Sequence, residues 1–117
     1  MTHATRFVAV AVLTALAVGA PVQAQTPEID ALRVRAEAGN AEAQFNLGFR
    51  YDNGFGVPQD HIEAHMWANI AVARSAGVDR DRRVKNRDID AARMTAEQVA
   101  EVQRLAREWN AAHPREP

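Results

Sequence analysis

The sequence predicts an all-α chain of antiparallel helix hairpins, about five helices long, and three observations lead there. Helix start and stop signals recur at short, regular intervals from Thr26 onward. Between them apolar residues recur three and four apart, the period of a helix face, and no segment alternates with the period of two that a strand requires. Hydrophobic residues make up 47% of the chain, many of them Ala, and aromatic residues only 6%. A core filled by small side chains suits closely approaching helices better than stacked sheets of β-branched strands.

Each helix has its own signals. Thr26-Pro27 is an N-cap followed by Pro at the first helical position, with Glu28 and Asp30 near the positive end of the dipole. This first helix, expected over 27–39, carries Ile29, Leu32 and Ala36 on one face and stops at Gly39, where a left-handed cap costs least. Asn40 caps a second helix, over 41–53, with Ala43, Leu47, Gly48 and Tyr51 on its packed face. Gly54-Phe55-Gly56-Val57-Pro58-Gln59 then reads as a loop: two Gly for unusual backbone angles, and a Pro that forbids helix until it is passed.

Asp60 opens a third helix, over 60–76, and Glu63 is placed to complete an acidic capping box. Ala64, Trp67, Ala68 and Ala71 line its packed face, and Gly77 is expected to stop it. A fourth, more polar helix is expected over 79–93. Thr95 with Gln98 forms another capping box and opens a fifth, over 96–112, whose face is Val99, Val102, Ala106 and Trp109. Leu47, Tyr51, Ala64, Trp67, Ala68, Ala71 and Trp109 are the expected core.

Two segments lie outside this array. Arg6, the apolar run from Phe7 to Gly19, Pro21 and then Val22-Gln23-Ala24 follow the order of a secretory signal peptide. The run is shorter than the ~18–20 residues that span a bilayer. Residues 1–24 are therefore expected to be removed on export, giving a periplasmic or secreted protein that begins at Gln25 and keeps no membrane span. After the helical domain over 25–112, residues 113–117 are expected to form a disordered tail. At 117 residues there is room for one domain. A net charge of −1 favours no polyanionic partner, so nucleic acid is not expected. The absence of Cys removes disulfides, thiolate metal sites and cysteine nucleophiles together.

From Gly39 to Gly77 one set of residues stands at fixed spacing: Ala41, Ala43, Gln44, Leu47, Gly48, Tyr51, Gly54, Gly56, Val57, Asp60, Ala64, Trp67 and Ala71. This pattern resembles a Sel-one-like repeat, a relative of the tetratricopeptide repeats. The full repeat covers about 41–76. Arg87-Asp88, Met94 to Gln98 and Leu105 to Trp109 resemble a C-terminal capping hairpin, about 79–112, common in exported members. The resemblance implies a short, tetratricopeptide-like α-solenoid that binds another protein or peptide. Gly48 and the Ala positions let the two helices of a hairpin approach closely, and Tyr51 and Trp67 fill the space between hairpins. One repeat cannot bury its apolar face alone, so the first helix must flank it on one side and the last two must close it on the other.

No constellation of catalytic residues emerges. His61 and His65 stand one helical turn apart, but Glu63 lies about 200° of rotation away from His61 and the metalloprotease order is absent. Both histidines are expected on a solvated face, without a metal. The run Arg80 to Asp88 mixes acids with bases and reads as a solvated helix with internal charge pairs. Ser75, the sole serine, lacks a nucleophile elbow. Neither catalysis nor a cofactor is expected. The function expected is that of an exported adaptor. The alternative is a cell-envelope accessory or glycan-binding protein associated with a cell-wall enzyme, and self-association is allowed by the shortness of the array. On the second helix, rotation at ~100° per residue leaves Glu42, Asn46, Phe49, Arg50 and Asn53 facing outward as the candidate binding residues. Phe49 beside Arg50 leads that set, because aromatic and Arg side chains dominate interface energies. Burial of Phe49 beneath the first or fourth helix is the competing reading.

Overall fold

The computed structural model describes residues 25–115. The expected signal peptide and the last two positions of the expected tail lie outside the described residues. Five helices follow in order: α1 (Pro27–Glu37), α2 (Ala41–Asn53), α3 (His61–Ala73), α4 (Gly77–Ala91) and α5 (Ala96–Ala112). Among the described residues there is no strand. No described helix is long and apolar enough to cross a membrane.

The caps form where local chemistry demands them. Thr26 accepts from the Ile29 amide, and Asn40 Oδ1 accepts from the Ala43 amide at 2.8 Å. Gly39 and Gly54 take φ values of +97° and +67°, ending α1 and α2 in the left-handed region. Thr95 and Gln98 exchange both bonds of a capping box, at 3.1 Å and 3.0 Å.

At Asp60 the expected capping box does not form. Its Oδ1 accepts from the amides of both Ile62 and Glu63 at 3.0 Å. The Asp60 amide, which Glu63 would have bonded, donates instead to the Tyr51 carbonyl at 2.9 Å. With that donor taken, the Glu63 carboxylate has nothing to return to.

The boundary between α3 and α4 also differs from expectation. α3 ends at Ala73 rather than 76: Ala76 takes extended backbone angles, φ −140° and ψ 161°, and the Ser75 hydroxyl donates to the Ala71 carbonyl at 2.5 Å. Gly77, φ +60°, opens α4 instead of closing α3. α4 consequently runs two residues earlier than expected at each end.

Helix α3 is the hub: α2, α4 and α5 all pack against it, and α1 packs on α2. It is therefore apolar nearly all round, with Ala64, Met66, Trp67, Ile70, Ala71 and Val72 buried. The hairpin of α2 and α3 closes at Gly48. A β-carbon there would stand 2.9 Å from the Ala64 carbonyl oxygen and 3.4 Å from Trp67 Cβ. Of the expected core, Leu47, Tyr51, Ala64, Trp67, Ala68 and Ala71 are buried. Trp109 is only half-buried. Its ring meets Trp67 edge-on at 5.5 Å, while its other side is covered by the stacked His113 imidazole at 4.0 Å and by Arg74 at 4.8 Å. Those polar covers leave part of the indole open to water. The Arg74 guanidinium also donates to the His113 carbonyl at 2.5 Å, which fastens the end of α5 to α3.

Gln44 is buried for a reason its place in the motif does not announce. Its Nε2 donates to the Ala36 carbonyl at 2.9 Å, satisfying an acceptor in the last turn of α1 from the neighbouring helix.

Candidate protein-binding surface

Rotation along α2 turns four of the five candidate residues outward. Glu42, Asn46, Phe49 and Asn53 are exposed and Arg50 is half-buried. Phe49 is 54% exposed, so its ring is not tucked beneath α1 or α4. Asn53 is tied down by a bond from Nδ2 to the Phe49 carbonyl at 2.8 Å.

The loop adds a residue that the sequence reading missed. Phe55 is 52% exposed, and its ring centroid lies 6.0 Å from that of Phe49 at an interplanar angle of 60°. Positive φ at Gly54 and Gly56 brackets Phe55 and turns it outward. Gly56 is also pressed against α1, where a β-carbon would stand 2.9 Å from Ile29 Cγ1. The Thr26 amide holds the Gly56 carbonyl at 3.3 Å. The loop is thus anchored, and the aromatic pair sits on a fixed support. Phe49, Phe55, Leu32, Asn46 and Arg50 line one shallow recess between α1 and α2. An aromatic flanked by two glycines in a loop was the available sequence signal for Phe55.

On the other side of Phe49 a second recess opens between α2, α3 and α4. Gly48, Ala64 and Ala68 form its floor, with Phe45, Phe49 and Ile89 on its walls. Asp52 and Asp90 also line it. Burial, and then the charge of Asp52, hold the Asp90 carboxyl above the usual carboxylate range, against the pull of Arg93 and His61.

Of the residues expected on solvated faces, His61 is exposed whereas His65 and Arg83 are buried. His61 is exposed and contacts Asp52 Oδ1 through Nδ1 at 2.9 Å. His65 is 3% exposed, and its Nδ1 has no hydrogen-bond partner. It is buried because α3 has packing neighbours on several sides, not on one face. Burial, then the charge of Arg87, lower its pKa, with Asp88 and Asp52 opposing. Arg83 likewise leaves the solvated run. It is buried, stacks over the Phe45 ring at 5.6 Å and donates to Ser75 Oγ at 2.7 Å, joining α4 to the end of α3. The rest of the run makes short-range pairs, Arg82 with Asp79 and Arg87 with Asp88. Among the described residues no three His, Asp or Glu side chains converge as metal ligands would.

Hairpins of antiparallel helices, closed by a glycine contact and reversed by a Gly-x-Gly loop, are the architecture of a helical repeat. Residues 41–75, which span α2, the loop and α3, match the Sel1 repeat family model. Such repeats generally mediate protein–protein interaction. No curated protein and no solved structure matches the chain.

Proposed function

We propose that this protein is an exported, periplasmic or secreted adaptor that binds another protein or a peptide through the outward face of α2 and performs no chemistry of its own. One observation supports the surface above all: the anchored, solvent-exposed pair Phe49 and Phe55, beside Arg50. Soluble proteins rarely keep neighbouring aromatic rings in water without a partner for them. Arg50 adds a group that pairs with carboxylates and stacks on aromatic faces. Glu42, Asn46 and Asn53 supply the polar rim. Export rests on the order of Arg6, the apolar run and Val22-Gln23-Ala24.

The test uses the mature protein and envelope extract. Phe49→Ala and Arg50→Ala should each lose capture of the protein that the parent retains, with the melting temperature almost unchanged because neither side chain is fully buried. Unchanged capture by both variants would move the site elsewhere. N-terminal sequencing of protein recovered from the envelope should begin at Gln25, and an intact Met1 would overturn the export reading.

A further inference from the structure

The recess between α2, α3 and α4 continues past the end of α2. Asp52, Ala64 and Asp90 line it and also line an adjoining recess, where Asp60, His61 and His65 join them. The two make one groove, apolar where Phe45, Phe49 and Ile89 stand and acidic where the carboxylates gather. The apolar half holds about 220 Å³. That is room for a side chain or two, and the acidic half adds about 440 Å³ beyond it.

Charge selects the partner. Asp52, Asp60 and Asp90 line the acidic half; Asp60 caps α3 and Asp52 contacts His61, and Arg93 is the sole Arg or Lys lining the groove among the described residues. Asp90 has no ion-pair partner among those residues. An independent sign comes from His65, which is 3% exposed, borders the acidic half and leaves Nδ1 without a hydrogen-bond partner. Buried polar atoms without partners are uncommon, and one beside an open groove points to a polar group that arrives with a ligand.

We propose that this groove receives a peptide segment of a partner protein that carries Lys or Arg next to an apolar residue. The apolar side chain lies between Phe45, Phe49 and Ile89, and the cation sits between Asp52 and Asp90. The assignment rests on the adaptor reading above and names the partner's chemistry, Phe49 being common to both.

The probe is a fluorescent Gly-Ser peptide with Leu-Lys-Leu-Lys at its centre, titrated by anisotropy at low salt. Two control peptides carry Leu-Glu-Leu-Glu and Ser-Lys-Ser-Lys. The Leu-Lys peptide should bind at least about tenfold tighter than either control, since each control loses one half of the groove. Asp90→Asn, which keeps shape and removes charge, should weaken the Leu-Lys peptide about tenfold, and added salt should weaken it further. Equal binding of the Leu-Glu peptide, indifference to Asp90→Asn, or no binding at all would each overturn the assignment. The capture experiment with Phe49→Ala decides the adaptor reading separately. A dimer in sedimentation that Asp90→Asn dissociates would seat a second copy in the groove and also overturn the proposal.

Discussion

Gly48 shows how one atom sets the hairpin. Replacing a helical Gly by a residue with a β-carbon ordinarily gains up to ~1 kcal/mol in helix propensity. Here that carbon meets the Ala64 carbonyl oxygen at 2.9 Å, and a backbone oxygen cannot swing aside as a side chain can. Gly48→Val should therefore destabilise the protein by ~1–3 kcal/mol, read as a lower urea midpoint; an unchanged midpoint would contradict the close contact. His65 gives a pH signature. Its folded pKa lies below the unfolded value of ~6.5, so the native state binds the proton less readily. Its contribution is favourable above about pH 6.5 and is lost as pH falls through that range. Glu63 and Asp90, raised chiefly by burial, act in the opposite sense and lose stability as pH rises through their folded values. Between about pH 7.5 and about pH 5.5 the parent should lose more melting temperature than His65→Gln. Parallel profiles would contradict the burial of a neutral imidazole. Neither the place of His65 nor that of Gln44 or Arg83 was legible in the sequence. A periodic pattern tells which face of a helix is packed, whereas a buried polar group is decided by what a different helix brings to it.

At the scale of elements, the N-caps and glycine C-caps could be read because their chemistry is local. Asn40, Thr95, Gly39 and Gly54 act on backbone groups within a few residues of themselves. The end of α3 could not, because a glycine with positive φ can close one helix or open the next, and here the extended backbone at Ala76 puts Gly77 at the start of α4. Glu63 was misread for a related reason: the Tyr51 carbonyl, in another helix, already holds the Asp60 amide. The two residues should accordingly differ on mutation. Asp60→Ala removes the acceptor of two amides and should cost ~0.5–2 kcal/mol. Glu63→Gln removes no capping bond and relieves a carboxylate disfavoured by burial and by Asp60, so its melting temperature should match or exceed the parent's. Thermal unfolding of both variants checks the contrast, and an equal loss in each would restore the capping box.

Across the whole molecule, the hairpin of α2 and α3 is flanked on both sides. α1 covers one side of α2, while α4 and α5 cover α3. Trp109 stays half-open beneath His113 and Arg74. The sequence carried the five helices and the outward face of α2, since both follow from period and caps. It did not carry the far wall of the groove, Ile89 and Asp90, whose position depends on the angle at which α4 meets α3. The same holds for the approach of Phe55 to Phe49, which the loop's path determines. The surface proposed for a partner is therefore a small one, centred on Phe49.

That surface can be interrogated directly by photo-crosslinking in the cell envelope. A photoreactive phenylalanine analogue is placed at Phe49 in one variant and at Val34, exposed on α1, in another. The adaptor reading predicts a discrete protein adduct from position 49 that position 34 does not give. Adducts of equal yield from both positions, or from position 34 alone, would contradict it.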